Sequence, residues 1–263
     1  MFAVSKSDMK TFVLGDIHGA AKALDQCLNR SGFDMDKDML IQLGDVVDRY
    51  DEVFECVEVL LLVKNLIAIK GNHDDWFYEF LTKGFHPRNW VYGGLGTIKS
   101  YLKHVDKAGL FYENGEGYTT DLVSSDVPAT HREFFARQQR FHVDHRNRCF
   151  VHGGFSPRVP LDKQRPEDFY WDRHLWQNAF EHKLLFGDKE SPGDVGIVPD
   201  FPEVYLGHTP TINWDSDKPL NAFNIWNLDT GAGHSGRLTI MDVDTKEYWQ
   251  SDPLPTLYAQ NSR

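Results

Sequence analysis

No stretch of this chain approaches the ~20 consecutive apolar residues that a bilayer span requires, so no membrane role is expected. Nor is there a Lys/Arg-rich run, and a formal net charge of −11 repels a phosphate backbone; a nucleic-acid partner is not expected. Cysteine is scarce. Cys27, Cys56 and Cys149 are odd in number, share no C-x-x-C spacing and sit in apolar stretches, which argues against a disulfide framework or a zinc knuckle and for reduced, buried thiols. The opening "MFAVSKSDMKTFVLGD" lacks the basic and long apolar regions of a secretory signal, so the cytoplasm is the expected compartment. What is present is an ordinary globular balance, 41% hydrophobic and 25% charged, over 263 residues, a length that a single domain spanning 1–263 accommodates.

The apolar pattern begins as βαβαβ. "TFVLGD" reads as a strand and "AAKALDQCLNRSG" as a helix with Leu24, Cys27 and Leu28 on one face and Gly32 as its stop. "MLIQLGD" is a second strand, "DEVFECVEVLLLVK" a helix with Val53, Val57, Leu60 and Leu61 at helical spacing, and "LIAIKGN" a third strand. Helical crossovers imply parallel strands. Residues 74–147 read as a mostly helical covering segment. Strand signals return in "RCFVHGG", "VYLGHT", "FNIWNLDTG", "RLTIMDV" and "EYWQSD", and the spacing predicts an antiparallel meander, with a loop-rich insertion carrying a short aromatic helix over 159–200.

One punctuation recurs at the strand ends: a short apolar run, a glycine, then a side chain with a lone pair to offer. It places Asp16, Asp45, Asn72 and His208 after Leu-Gly or Lys-Gly, with a variant at His152. Glycine permits a sharp exit from a strand and close approach of backbone to a ligand. Strand C-termini in open α/β sheets converge on one crevice, which makes Asp16, His18, Asp45, Asn72, His152 and His208 candidates for one metal cluster. A single strand histidine is more often structural, but five ordered motifs together point to ligation. Carboxylates, an amide oxygen and imidazoles suit Mn²⁺, Fe or Zn²⁺ better than Mg²⁺ or Ca²⁺.

"GDIHG" (15–19), "GDVVDR" (44–49), "GNHD" (71–74), "HGG" (152–154) and "GHT" (207–209) together resemble the signature of the calcineurin-like metallophosphoesterases, in particular the phosphoprotein phosphatase branch with its small bacterial and phage serine/threonine phosphatases. The resemblance implies a mixed α/β fold, a β-sandwich flanked by helices with a dimetal site at the strand ends. It assigns Asp16, His18 and Asp45 to one metal and Asp45, Asn72, His152 and His208 to the other, so that Asp45 bridges. The wider superfamily often carries G-H-x-H where this chain has Gly207, His208, Thr209 and Pro210; the absent imidazole leaves the first ion open to water and substrate.

Two divalent ions about 3.5–4 Å apart can share a water, lower its pKa toward neutrality and present hydroxide in line with phosphorus. The resemblance makes His73 the general acid and Asp48 the residue that holds it charged and oriented. Arg49 offers a planar guanidinium to two phosphate oxygens, the alternative being a surface ion pair with Asp48 or Asp51, and Arg173 in "FYWDRHLW" stands where related phosphatases carry a second arginine. Tyr50 replaces the usual glycine and adds bulk near the phosphate pocket; Asp74 replaces the usual glutamate. His234 reads as a plain loop histidine, "RFHVDHRNR" as a solvated turn rather than a site built on His142, Asp144 and His145, and Trp76, Phe77, Tyr78 and Phe80 as core packing or a substrate wall. The expected activity is that of a phosphomonoesterase, a serine/threonine protein phosphatase acting on a phosphoprotein or phosphopeptide, with phosphotyrosine as a further candidate substrate. The alternative is a symmetrical dinucleoside polyphosphate (diadenosine tetraphosphate) hydrolase acting on a small nucleotide.

Overall fold

Strands that are apolar on both sides need cover on both faces, and two stacked sheets with helices outside provide it. The computed structural model describes residues 9–258 apart from 85, 87, 108, 110, 114–117 and 188–197. In the first sheet β1 (Thr11–Leu14), β2 (Met39–Gln42) and β3 (Asn65–Ala68) are parallel neighbours; β11 (Thr239–Asp242) pairs antiparallel with β1, and β12 (Tyr248–Gln250) with β11. The second sheet has the order β6 (Phe141–Val143), β7 (Cys149–Val151), β8 (Val204–Leu206), β10 (Ile225–Asn227), β9 (Leu220–Ala222). A separate hairpin joins β4 (Phe111–Glu113) to β5 (Tyr118–Thr120).

Alternation along each strand divides the core into three. Val13, Ile41 and Met241 of the first sheet meet Phe150 and Tyr205 of the second in the layer between sheets. Their sequence neighbours Phe12, Leu14, Leu40 and Ile240 point outward. They are covered by α1 (Ala21–Ser31), α2 (Val53–Leu61), α3 (Asn72–Lys83), α4 (Gly94–His104), α5 (Ala129–Arg137) and α8 (Leu254–Leu257). On the far side Cys149, Val151, Val204 and Leu206 pack against α6 (Asp168–Trp171) and α7 (His174–Phe186) through Phe169, Leu175, Trp176 and Phe180. The result is the expected sandwich flanked by helices.

The βαβαβ start is as the periodicity indicates, including Gly32 in a left-handed C-cap at φ 65° after a helix that buries Leu24, Cys27 and Leu28. All three cysteines are free and buried. Three expectations fail. Leu61 ends α2 facing outward, 42% exposed, because the buried stripe runs Val53, Cys56, Val57, Leu60. The second half is not a meander: β7, β8 and β10 are mutually parallel, and only β6, β9, β11 and β12 pair antiparallel with their neighbours. The cause lies in the 159–200 stretch, where α7 runs 13 residues and supplies the helical crossover that a parallel pair requires; the remainder of that stretch, 188–197, lies outside the described residues. In residues 74–147, which carry α3, α4 and α5, the β4–β5 hairpin stands between α4 and α5, and periodicity did not indicate it.

Candidate metal centre

The five punctuated strand ends meet. Asp16 and His18 leave β1, Asp45 leaves β2, Asn72 and His73 are the first two residues of α3, His152 follows β7 and His208 follows β8. Ligand atoms of Asp16, His18 and Asp45 lie within 4.8 Å of one another, as do those of Asp45, His152 and His208, so Asp45 belongs to both groups. His152 Nε2 is 3.4 Å from Asp45 Oδ2 and 3.1 Å from Asn72 Oδ1, which adds Asn72 to the second group.

Two glycines make the approach possible. A Cβ on Gly71 would stand 2.0 Å from Asp45 Oδ1, and one on Gly207 would stand 2.1 Å from Asp16 Oδ1. Only a bare backbone leaves those carboxylates room.

The donor atoms fit a bound cation. His18 Nδ1 donates to the Val47 carbonyl at 3.1 Å and His152 Nδ1 to the Leu43 carbonyl at 2.8 Å, which turns each Nε2 toward the centre, as in metal-ligating histidines. Asp16 Oδ1 and His208 Nε2 are buried without a hydrogen-bond partner, an arrangement that costs free energy unless something coordinates them. Among the described residues, neither Asp16, Asp45 nor Asp229 forms an ion pair with Lys or Arg. Burial, and then the neighbouring Asp229, pushes the Asp16 carboxyl above its ordinary value. Burial also depresses His18 to about 3 and lowers His208, leaving both imidazoles neutral. For His152 burial acts downward, but the carboxylates of Asp45 and Asp16 outweigh it and raise the imidazole to about 9. Surplus buried negative charge beside neutral imidazoles is what a divalent ion relieves.

His73 and Asp48 form a buried pair beside this cluster. His73 Nδ1 lies 2.6 Å from Asp48 Oδ2. Burial acts to lower His73, yet the carboxylates of Asp45 and Asp48 raise it above the ordinary imidazole value. Asp48 is fully buried, and its other oxygen accepts from Trp90 Nε1 at 2.9 Å and Thr97 Oγ1 at 2.6 Å. Trp90 and Thr97 come from the covering segment; no local motif marks them. The backbone N–H of His73 donates to Asp45 Oδ1 at 3.0 Å, so the first turn of α3 supports the shared carboxylate.

The arginines flank the centre. Arg49 is exposed at the site and, among the described residues, pairs with neither Asp48 nor Asp51. Arg173, the N-cap of α7, donates from Nη1 to the His208 carbonyl at 2.7 Å and to Thr209 Oγ1 at 3.2 Å; burial lowers its pKa. The backbone N–H of Gly153 donates to the Phe169 carbonyl at 2.7 Å, which ties the HGG turn to α6 and brings Arg173 inward. These side chains enclose a cavity of about 80 Å³, together with Asp229 and His234.

His234 stands in a loop, as expected, and that loop brings it to line the cavity. Tyr50 lies beside this loop: its ring is 4.3 Å from that of Tyr258, tilted by 32°, and its hydroxyl donates to the His234 carbonyl. Asp74 is fully buried and binds the loop after β2 to the start of α3, accepting from Val46 N, Val47 N, Gly71 N and Gln138 Nε2. Asp229, at the end of "FNIWNLDTG", carries no local signal of a role, yet it is 3% exposed and lies against the cluster, its carboxyl raised to about 6 by burial. In the 141–148 stretch the tip at His145 is exposed, but Arg148 is buried and holds Asp144 at 2.6 Å, so the carboxylate is a structural anchor and not part of a metal site.

The calcineurin-like phosphoesterase family model matches residues 9–235. The chain belongs to that family. Members use a dinuclear metal site, and the clustered donors here are its candidate ligands. A symmetrical bis(5'-nucleosyl)-tetraphosphatase of Coxiella burnetii is 33% identical over 291 residues, covering 94% of this chain and 95% of the relative. Serine/threonine-protein phosphatase 1 of Salmonella typhimurium is 24% identical over 240 residues, covering 91% and 94%. The crystal structure of a candidate diadenosine tetraphosphatase superposes with a TM-score of 0.62 at 17% identity, covering 95% of this chain and 96% of that one, a likeness of fold. The chain is therefore a phosphoester hydrolase of metallophosphoesterase type. Among the described residues no helix is long and apolar enough to cross a membrane.

Proposed function

We propose that this hydrolase is a phosphomonoesterase acting on phosphoserine and phosphothreonine in proteins, with Asp16, His18 and Asp45 holding one divalent ion and Asp45, Asn72, His152 and His208 the other. Mn²⁺ suits this donor set. When bound, the ions supply Lewis-acid activation of water and neutralise charge on the phosphoryl oxygens. Arg49 and Arg173 orient the phosphoryl group from two sides, and their guanidinium donors meet the charge that grows on its oxygens in the transition state. His73 delivers a proton from Nε2 to the leaving oxygen, while Asp48, fixed by Trp90 and Thr97, keeps the imidazole charged and oriented.

The observation that carries the monoester reading is this buried acid pair, with His73 Nδ1 2.6 Å from Asp48. A serine or threonine alkoxide is a poor leaving group and needs a proton as the bond breaks. A nucleotide leaving through its terminal phosphate ionises near neutrality and needs that help far less. The extent of the Coxiella relative, matched almost end to end, favours the second reading, symmetrical hydrolysis of dinucleoside polyphosphates.

The deciding experiment compares kcat/KM for phosphoserine and phosphothreonine peptides with that for diadenosine tetraphosphate, in Mn²⁺. Phosphopeptides are expected to lead, and preference for the dinucleotide overturns the first reading in favour of the second. Asp45→Asn is expected to abolish phosphate release from p-nitrophenyl phosphate; full activity in that variant discards the mechanism.

A further inference from the structure

The cavity over the clustered donors, about 80 Å³, is far below the roughly 300–1,000 Å³ of pockets that enclose a drug-sized ligand. Whatever the leaving oxygen carries must therefore rest at the mouth. His73 marks that side, because it is the group placed to protonate the leaving oxygen. The ring of Trp76 stands 4.8 Å from that of His73, edge to face at 71°; Trp76 and Trp171 are 5.3 Å apart at 56°; and Trp171 closes the arc at 6.0 Å from His208. Two indoles thus run from the proton donor to a candidate metal ligand. From the same helix as Trp76, Phe77 and Phe80 are buried in the core, whereas Trp76 remains half-exposed; Trp171 is 41% exposed, two residues before Arg173. Trp76 packs partly against the core, and the rest of its ring, like that of Trp171, stays open to solvent.

We propose that Trp76 and Trp171 form an aromatic platform that stacks on a planar ring carried directly on the ester oxygen, so that aryl phosphomonoesters, phosphotyrosine among them, are taken alongside phosphoserine and phosphothreonine. A ring one bond from the oxygen that His73 protonates is brought beside His73, whose own ring lies 4.8 Å from Trp76, whereas ribose and further phosphates hold the base of a nucleotide farther from that oxygen. This extends the phosphomonoesterase reading and rests on it.

The test compares wild type with Trp76→Leu, Trp171→Leu and Trp76→Phe on one peptide carrying either phosphotyrosine or phosphoserine. Dividing each variant's ratio of the two kcat/KM values by the wild-type ratio cancels the intrinsic advantage of the aryl leaving group. Each Leu variant is expected to lower that ratio by about three- to tenfold, chiefly through KM, and Trp76→Phe to restore most of it. Affinity for phenylphosphonate relative to methylphosphonate, measured by calorimetry on Mn²⁺-loaded protein, is expected to fall by the same factor. If Trp76→Leu does not fold, the exposed Trp171 carries the test. An unchanged ratio, or an equal loss on both peptides, overturns the platform, as does a loss confined to diadenosine tetraphosphate. Wild-type protein that releases no phosphate from either peptide sinks the monoesterase reading instead, while the phosphonate affinities still judge the platform.

Discussion

His18, Asp45, Asp48, Arg49 and His208 all hold left-handed backbone conformations, with φ of 53°, 54°, 75°, 65° and 65°. Such positions cost on the order of 1–3 kcal/mol each and persist where surrounding contacts over-determine them; Asp and His tolerate them better than Arg. Arg49 carries this strain at the rim of the cavity. Arg49→Ala and Arg49→Gly are expected to lose activity alike, about 10²-fold in kcat/KM, while the glycine variant melts at the higher temperature because it relieves the strain. Thermal melts beside phosphopeptide kinetics check this. The acid pair yields a second expectation. The folded pKa of His73 lies above its ordinary value, so the donating form is complete below that value and activity declines as pH rises through the folded pKa. Asp48→Asn removes one raising carboxylate and should move the alkaline limb of the kcat/KM profile to lower pH; a limb that stays put separates His73 from the proton transfer.

At the scale of elements, α3 starts where the chemistry needs it. Gly71 is its N-cap, Asn72 and His73 form its first turn, and the Asp74 side chain receives the Gly71 N–H at 3.1 Å. Gly71→Ala forces a Cβ into Asp45 Oδ1 and is expected to weaken Mn²⁺ binding at least about tenfold by calorimetry, with a smaller loss of helix stability. Helix α4 acts at longer range: Thr97 Oγ1 receives the Asp48 N–H at 2.9 Å and donates to Asp48 Oδ1 at 2.6 Å. Thr97→Val keeps the shape but removes both bonds. The expected outcome is a kcat loss of about tenfold with metal affinity unaltered, since Thr97 touches none of the candidate ligands; an equal loss of Mn²⁺ binding contradicts this division of roles.

At the scale of the molecule, the two sheets must keep their strand ends opposed, because the donors come from both. Part of that alignment rests on Arg148, which precedes β7. Its Nε reaches Asp144 Oδ2 at 2.6 Å beyond β6, and its Nη1 reaches Asp244 Oδ1 at 2.6 Å beyond β11, joining the second sheet to the first. Arg148→Met leaves the largely buried Asp144 carboxylate without its charged partner, held only by the backbone N–H groups of residues 146 and 148. A loss of about 2–3 kcal/mol is expected, below the 3–5 of a fully enclosed pair because Asp244 is half-exposed. Burial acts to raise Asp144, but hydrogen bonds from the Arg148 backbone and guanidinium outweigh it and depress the folded value. The contribution of this tie is therefore present above the ordinary carboxylate range and lost as pH falls through the folded value. The gap in melting temperature between wild type and Arg148→Met should narrow on acidification; a gap that widens refutes the assignment.

The donor set was legible in the chain because most of its donors follow a glycine at the end of a short apolar run, a local signal that needs no knowledge of the partner strands. Asp16, Asp45, Asn72 and His208 are of this kind, His18 lies two residues beyond Asp16, and His152 stands in a variant with its glycines after it; the first three strands and two helices follow from periodicity alone. Trp90, Thr97, Gln138 and Asp229 were not, since each acts only through a contact 42 or more residues away or through burial against the cluster, and nothing in its own neighbourhood differs from ordinary core. The parallel course of β7, β8 and β10 was hidden for the same reason: strand direction depends on where a crossover helix lands, not on the composition of the strands. Sequence by itself determined which side chains are available for chemistry and the turns that present them. Only the tertiary structure decided which of them are buried, desolvated and held in register, because desolvation and mutual electrostatics depend on neighbours that the order of residues does not place.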